Sequence, residues 1–381
     1  MTNPLRELAR YGQSPWYDSL RRGMLVSGEL ARYIEEDGLK GLTTNPAIYE
    51  KAIGGSGNDY DAALARLLPR PELDAKAVYE AVAIQDIQAA ADLLRPVYDQ
   101  TGRKDGYVSL EVSPVVAHDR EATLEEARRL WRTLGRENVF IKVPATPEAT
   151  QAIQQLLEEG INVNVTLLFS RQAYDAVAEA HEAALEARLA RGEDISRVAS
   201  VASFFVSRVD TLVDRKLDDL ARDRPELAAR AAGLRGQVAI ANAKLAYQEW
   251  RGRVAEPRWA RLAAKGAMPQ RLLWASTSTK DPRYRDVVYV EELIGPETVN
   301  TMPPATFEAF RDHGRVAATL EAGLDDARAT LAELASIGIK LADVTDELLF
   351  EGVRQFEEPF EKLLATIERR RHAEEGAGAG I

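Results

Sequence analysis

The stretch "NVFIKVPATP", residues 138–147, reads as a buried strand that leads directly into a helix. Its apolar part, "VFIKV", has the length of a strand, and Thr146 before Pro147 supplies a helix cap and a first-turn proline. Such strand–helix units build parallel α/β folds. Lys142 interrupts the apolar run, although an ammonium group taken out of water costs several kcal/mol unless it is paired or loses its proton. This lysine therefore needs a structural or chemical reason.

The same strand–helix pattern repeats along the chain. Eight short runs read as strands, at residues 15–20, 38–44, 106–112, 139–143, 161–169, 197–206, 271–276 and 298–302. The segments between them have helical character, as in residues 74–95, where apolar side chains recur at helical spacing. This alternation predicts an α/β fold, a (β/α)8 TIM barrel, although a doubly wound open sheet leaves a similar trace. The barrel is favoured because no glycine fingerprint follows a strand.

The chain beyond the eighth strand departs from this pattern. Residues 304–372 read as entirely helical, and residues 373–381 are low in complexity and are expected to form a flexible tail. No linker divides the chain, so residues 1–381 are expected to form one barrel domain with additional C-terminal helices. These helices are expected to cover apolar barrel surface, with a lid over the barrel mouth as the alternative. Within the barrel, Thr123 followed by Glu126 predicts a capping box.

Composition excludes several classes of protein. The 60 acidic residues outnumber the 49 basic ones, for a formal charge of -11, and no long basic run appears, so nucleic acid is not an expected partner. The absence of cysteine rules out disulfides and thiolate chemistry. No apolar run approaches the roughly 20 residues that span a bilayer, and the N-terminus lacks a signal-peptide pattern. We expect a cytoplasmic protein without membrane contact.

Elimination narrows the chemistry further. The four histidines stand singly, without metal-ligand spacing, and no Gly-x-Ser-x-Gly elbow is present. What remains is a set of polar residues in or next to apolar strands: Asp18, Asn45, Glu111, Lys142, Asn164, Thr166 and Ser203. Residues near the carboxyl ends of barrel strands converge on one mouth, so these side chains predict a site.

Two interpretations of these residues stay open at this point. In the structural interpretation Lys142 is paired with a carboxylate or extends its amine out of the barrel into water. In the functional one it is a desolvated amine that attacks a carbonyl and forms a Schiff base. Glu111 is correspondingly the pairing partner or a proton relay. Asn45 either caps the helix that follows it or binds a substrate hydroxyl with its amide.

Five stretches carry a resemblance to a known family. They are "LKGLTTNPAIY" (39–49), "SLEVSP" (109–114), "VFIKVPAT" (139–146), "INVNVTLLFS" (161–170) and "ASFFVSRVD" (202–210). In order and approximate spacing they resemble the transaldolases, and the length resembles the longer bacterial subgroup. The resemblance implies a (β/α)8 barrel with the Schiff-base lysine on strand four. "VFIKV" is the fourth strand in the independent count above.

The resemblance also implies a mechanism. Lys142 would attack the C2 carbonyl of a ketose phosphate, while Glu111, with Thr166 holding a water, would shuttle protons. Asp18 would take the proton of the C4 hydroxyl as the C3–C4 bond breaks.

The three-carbon dihydroxyacetone unit would then stay on the lysine as a carbanion delocalised into the iminium, without a metal or other cofactor. Asn45 and Asn164 would hold its hydroxyls. An aldose phosphate would accept the unit. The expected partners are therefore small sugar phosphates, and a monomer and a homodimer are both open.

Binding of the substrate phosphate is where this chain departs from the shorter transaldolases. Ser203 and Arg208 match phosphate-site residues of the family, and Phe205 is assigned to substrate binding. The second arginine of the short forms has no counterpart in "WASTSTKDP" (274–282). Lys280 is the nearest cation and is given that role, with a solvated turn lysine as the alternative.

Two other functions remain as alternatives. One is a related fructose 6-phosphate aldolase that releases free dihydroxyacetone. Those relatives carry glutamine and tyrosine where this chain has Glu111 and Phe205, which favours the transferase. The other is a non-catalytic binding barrel, which predicts loss of the lysine or its proton-transfer partners, and all of them are present.

Overall fold

A computed structural model describes residues 3–55 and 57–378 and contains a closed barrel of eight parallel strands in sequence order. The strands are β1 (Gln13–Tyr17), β2 (Gly41–Leu42), β3 (Tyr107–Glu111), β4 (Val139–Pro144), β5 (Val163–Leu168), β6 (Ser200–Phe205), β7 (Arg271–Ala275) and β8 (Thr298–Met302). Pairing of β1 with β8 closes the sheet. All of the predicted strands are present, which confirms the TIM-barrel interpretation; β2 is shorter than expected.

The helices surround this barrel. Helix α1 (Pro4–Glu7) precedes β1. Between β1 and β4 lie α2 (Arg22–Val26), α3 (Glu29–Glu36), α4 (Pro46–Gly54), α5 (Asp61–Leu67), α6 (Ala75–Gln100) and α7 (Arg120–Leu134). Between β4 and β8 they are α8 (Pro147–Glu158), α9 (Arg171–Ala190), α10 (Ser207–Asp223), α11 (Ala228–Leu234), α12 (Val238–Val254), α13 (Pro257–Ala263) and α14 (Val288–Glu291). After β8 come α15 (Pro304–His313), α16 (Leu324–Ser336) and α17 (Leu341–Gly378). None of the helices within the described ranges is long and apolar enough to cross a membrane.

Side-chain caps mark the starts of several helices, and one of the two caps predicted from the sequence is present. Thr146 Oγ1 accepts a hydrogen bond from the Ala149 amide over 3.2 Å, as the sequence indicated. The capping box predicted at Thr123 was wrong. Asp119 caps α7 instead, so Thr123 lies inside the helix and donates its hydroxyl proton to the Val116 carbonyl.

The C-terminal region is helical but not continuous as predicted. Residues 314–323 and 337–340 separate α15, α16 and α17, and Gly323 and Gly338 adopt positive φ angles of 67° and 97° that suit helix ends. The last helix extends to Gly378, into the expected flexible tail, and residues 379–381 of that tail lie outside the described residues.

Buried polar contacts join the amino ends of several strands. Asp105, just before β3, accepts hydrogen bonds from Arg271 over 2.8 Å, Ser14 over 2.8 Å and Trp16 Nε1 over 3.1 Å. These contacts link β1, β3 and β7 at the end of the barrel opposite the predicted site. They stabilise the amino end of the barrel, whereas active sites of TIM barrels form at the carboxyl end.

Candidate active site

Lys142 lies in the middle of β4, and its amine is held by two acceptors. The Nζ atom donates hydrogen bonds to Glu111 Oε2 over 3.0 Å and to the Thr44 carbonyl over 3.1 Å. Only 4 % of the lysine is exposed. Strand register explains the pairing, because Glu111 on β3 is the direct neighbour of Lys142 on β4. The carboxylate partner of the structural interpretation therefore exists, and the amine also faces a cavity.

That cavity lies at the carboxyl ends of the strands and has a volume of about 490 Å³. Most of the predicted site residues line it, namely Asp18, Asn45, Lys142, Thr166, Ser203, Phe205, Arg208 and Lys280. They come from different strands and from the loops that follow them, as expected for the mouth of a barrel. The structure thus brings together residues that are far apart in the sequence.

Asp18 follows β1 and stands at the wall of this cavity. Its Oδ1 accepts a hydrogen bond from Thr43 over 2.6 Å, and the Thr43 hydroxyl in turn lies 2.6 Å from that of Thr301. Burial raises the pKa of the Asp18 carboxyl, while the Lys142 charge and the Thr43 hydrogen bond oppose that rise. A carboxyl balanced between these opposing effects is suited to take up a proton and to release it again.

Glu111 ends β3 beneath the cavity rather than on its wall. Burial raises the pKa of its carboxyl, and the neighbouring Lys142 charge counteracts this effect. Its Oε1 and the Thr166 hydroxyl are buried polar atoms without a hydrogen-bond partner among the described residues. Buried polar atoms are nearly always satisfied, so a water or a substrate group is expected to contact both.

Asn164 is the other predicted residue that does not line the cavity. It is the strand neighbour of Lys142 on β5 and is fully buried. Its amide oxygen accepts a hydrogen bond from Ser203 over 2.7 Å, and its nitrogen donates to Ser109 over 3.0 Å. Asn164 therefore reaches the cavity through Ser203, and direct contact with a substrate stays a prediction.

Asn45 combines the two roles that its sequence position left open. Its side-chain oxygen accepts a hydrogen bond from the Ile48 amide over 3.1 Å and thereby caps α4. The residue also lines the cavity, so its amide nitrogen is in a position to meet a ligand. The capping bond orients the side chain and leaves its donor group uncommitted.

The opposite side of the cavity is cationic. Arg208, on the first turn of α10, has a buried Nη1 atom without a partner in the described part of the chain, and its guanidinium lies 5.2 Å from the Phe205 ring centroid. Lys280, in the loop after β7, donates a hydrogen bond to Ser278 over 2.7 Å. Burial, Arg208 and Lys51 together lower the pKa of Lys280. Uncompensated cations of this kind favour an anionic ligand such as a phosphate.

Comparison with known proteins agrees with this geometry. A family model described as transaldolase/fructose-6-phosphate aldolase matches residues 15–367. The chain belongs to this family. It is 50% identical over 377 residues to transaldolase 2 of Nostoc punctiforme, covering 96% of this chain and 97% of the relative. It is 49% identical over 368 residues to a transaldolase of Parafrankia (96% and 98% covered) and 44% identical over 363 residues to that of Neisseria gonorrhoeae (95% and 99%).

Sequence reasoning missed several residues of this transaldolase-type cavity, among them Thr43 beside Asp18 and the three that follow. Lys51 is on α4 and Phe356 is on α17, while Ser278 accompanies Lys280 in the loop after β7. Lys51 follows the "TTNPAIY" motif within two helical turns, so the motif itself could have drawn attention to it. Phe356 has no such signal, because an aromatic residue in an amphipathic helix is ordinarily read as core.

Metal chemistry has no evident ligand set here. Within residues 3–55 and 57–378, no group of three or more histidine, aspartate or glutamate side chains is arranged to hold a metal ion. The groups that surround Lys142 are instead carboxyls, hydroxyls and cations, which serve proton transfer and anion binding.

Proposed function

We propose that this protein is a transaldolase of the non-oxidative pentose phosphate pathway. It would transfer a dihydroxyacetone unit from fructose 6-phosphate or sedoheptulose 7-phosphate to glyceraldehyde 3-phosphate or erythrose 4-phosphate. The observation that carries the proposal is the buried Lys142 amine, 3.0 Å from Glu111, which faces a cavity that Arg208 and Lys280 also line. Family membership supports the same reaction.

Formation of a Schiff base is the first chemical step. Lys142 Nζ attacks C2 of the ketose, and the resulting carbinolamine loses water to give an iminium ion. Protons must reach and leave the C2 oxygen during this exchange. Glu111 contacts the amine directly, and its unpartnered Oε1 together with the Thr166 hydroxyl would hold the water that relays them.

Cleavage of the C3–C4 bond follows. Asp18 accepts the proton of the C4 hydroxyl, the electrons of the C3–C4 bond move into the iminium, and the aldose phosphate departs. The Thr43 hydroxyl supports this role because it stabilises the ionised carboxylate that acts as the base. The three-carbon unit stays on Lys142 as an enamine, with Asn45 as a donor to its hydroxyls.

The distal phosphate is held by the cationic side of the cavity. Arg208 and Lys280 are the proposed ligands. Ser203 also lines the cavity, but its hydroxyl proton is donated to Asn164, so the hydroxyl would have to rotate to bind the phosphate. We place the reaction in the cytoplasm, where a chain without cysteine fits the reducing environment. Transfer is completed when a second aldose phosphate accepts the unit and hydrolysis frees the lysine.

Borohydride trapping tests the proposal directly. The protein is incubated with fructose 6-phosphate and borohydride, and the masses of its proteolytic peptides are measured by mass spectrometry. We expect a reduced three-carbon adduct on Lys142. Lys142→Met should form no adduct and show no turnover. Lys244→Met is the control, because it removes a buried lysine near Glu292 outside the cavity, and it should retain the adduct and the turnover. An unmodified Lys142, or full turnover in Lys142→Met, contradicts the mechanism.

Rates with and without erythrose 4-phosphate separate the transferase from an aldolase. A transaldolase converts fructose 6-phosphate rapidly only when the acceptor is present. An aldolase of the related type releases free dihydroxyacetone from fructose 6-phosphate alone at a comparable rate.

A further inference from the structure

Helix α17 places an aromatic ring near two of the cationic groups of the site. The ring centroid of Phe356 lies 5.4 Å from Lys142 Nζ and 5.8 Å from Arg208 Cζ. Only 5 % of Phe356 is exposed, and the residue lines the cavity. We infer that Phe356 is a specificity-determining residue, which directs the three-carbon unit on Lys142 to transfer rather than release. This inference rests on the proposed transaldolase function.

The position of Phe356 is set by direct contact between α17 and β5. Gly352 precedes Phe356 by one helical turn and lies on the same face. A Cβ atom at Gly352 would stand 3.1 Å from Leu167 Cδ2 and 3.5 Å from the Phe169 ring. Leu167, which follows Thr166, has a φ angle of 61°, which a leucine rarely adopts. Contact with β5, which carries Thr166, therefore sets the distance between α17 and the site.

Contacts on both sides hold α17 across the barrel mouth. Glu347, near its start, pairs with Lys216 of α10 over 2.6 Å. Farther along, the Phe360 ring meets the Tyr79 ring of α6 edge-on at 5.8 Å. Arg370 donates a hydrogen bond to the Ile53 carbonyl over 3.2 Å. Thus α17 connects α10, which carries Arg208, with α4 and α6 on the other side of the mouth, and the lid alternative describes it better than surface covering alone.

The enamine left on Lys142 has two fates. In transfer, C3 attacks the aldehyde carbon of an aldose phosphate, a C3–C4 bond forms, and the aldehyde oxygen receives the proton held by Asp18. In release, C3 receives a proton, water adds to C2 of the iminium, and dihydroxyacetone leaves the amine. Water adds to C2 in both fates, because hydrolysis also frees the product of transfer. The step that distinguishes release is therefore the arrival of a proton at C3.

Phe356 opposes release through the apolar character of its ring. The ring keeps water, the available proton donor, away from C3 of the lysine adduct, whereas the water that adds to C2 is held by Glu111 and Thr166. The rings of Phe205 and Phe356 also lie 5.2 and 5.8 Å from Arg208 Cζ and restrict the guanidinium that is proposed to bind the phosphate. Excluding the proton donor from C3 favours transfer of the unit to an aldose phosphate.

The test compares two products in the same variants. Transfer is measured with fructose 6-phosphate and erythrose 4-phosphate, and release is measured as free dihydroxyacetone from fructose 6-phosphate alone. We expect Phe356→Ala to raise the ratio of release to transfer by about tenfold or more, a change of about 1.4 kcal/mol in relative barrier. Phe350→Leu is the matched control, because Phe350 lies on the same helix but is 65 % exposed.

Gly352→Ala tests the same inference without removing the ring. Its methyl group would stand 3.1 Å from Leu167 Cδ2, closer than an ordinary contact, so we expect α17 to move away from β5 and the ratio to rise. This variant provides the test if Phe356→Ala does not fold. An unchanged ratio in whichever of these variants folds overturns the inference, provided that the wild type forms the Lys142 adduct and transfers the unit. If the wild type forms no adduct, the proposed function fails instead.

Discussion

Lys142 donates a hydrogen bond to one oxygen of Glu111 over 3.0 Å, while the other oxygen of Glu111 is buried and without a partner in the described part of the chain. A purely structural ion pair is expected to satisfy both carboxylate oxygens, since unpaired buried polar atoms are costly. The second oxygen is therefore available for a water or for a substrate hydroxyl. This asymmetry is the feature that suits Glu111 to proton transfer.

Replacing Glu111 by glutamine should slow Schiff-base formation. The amide keeps the size of the side chain but cannot shuttle protons, and general acid–base catalysis is typically worth about 100-fold to 10,000-fold in rate. The rate of borohydride trapping with fructose 6-phosphate measures this step. Glu182→Gln removes another buried carboxylate, paired with Arg253 on the outside of the barrel, and should trap at the wild-type rate. Equal trapping rates in the two variants would argue against a role for Glu111.

Removing the Thr43 hydroxyl should shift the acidic limb of the pH–activity profile to higher pH. Thr43 donates to Asp18 and lowers the pKa of that carboxyl, which burial raises. Thr43→Val therefore raises the Asp18 pKa further. Because the base must be ionised to accept the C4 proton, activity should be lost at a higher pH than in the wild type.

The pH dependence of kcat measures this shift. Thr44→Val is the neighbouring control, because the Thr44 hydroxyl donates to the Ser109 carbonyl rather than to Asp18. A limb that stays in place in Thr43→Val, or moves to lower pH, would show that Asp18 is not the group that titrates.

Lys280 and Lys51 should both contribute to phosphate binding. A hydrogen bond to a charged group is worth about 1.5–3 kcal/mol, so Lys280→Met and Lys51→Met are each expected to raise KM for fructose 6-phosphate by about tenfold or more. Lys280→Arg should restore most of the affinity. Lys265→Met, at an exposed site outside the cavity, is the control. An unchanged KM in Lys280→Met would mean that Lys280 is a solvated lysine of the turn and does not bind the phosphate.

The Asp105–Arg271 pair should matter for stability and not for chemistry. Burial alone would raise the pKa of Asp105, but Arg271 and the hydrogen bonds around it hold that pKa below its usual value. The resulting stabilisation is present above the unfolded pKa and is lost as pH falls through the folded one. Breaking a buried pair costs about 3–5 kcal/mol.

Urea denaturation of Asp105→Asn measures this loss in the free energy of unfolding, with the exposed Asp99→Asn as control. Turnover per folded molecule should match the wild type in both variants. A loss of turnover without a loss of stability would mean that the amino end of the barrel takes part in the chemistry.

Much of the site was predictable from strand residues alone. Lys142 and Asp18 stand in or beside apolar strands where a polar group is costly, and parallel strands bring their carboxyl ends together. Asn164 shows the limit of that reasoning. Strand spacing indicated that it belongs with Lys142, but not that Ser203 and Ser109 already occupy its amide group. Hydrogen bonds between side chains of different strands depend on register and rotamers, which a single strand pattern does not specify.

The barrel, its strand order and the lysine on β4 could be read from the sequence, because short apolar strands that alternate with amphipathic helices are local patterns, and the lack of a glycine fingerprint favoured a closed barrel over an open sheet. The course of α17 across the mouth, which sets Phe356 over Lys142 and Arg208, depends on tertiary contacts. The helical pattern of α17 predicts an apolar face but not the surface that this face meets. Packing of Gly352 against Leu167 makes that choice, through contacts between residues distant in the chain.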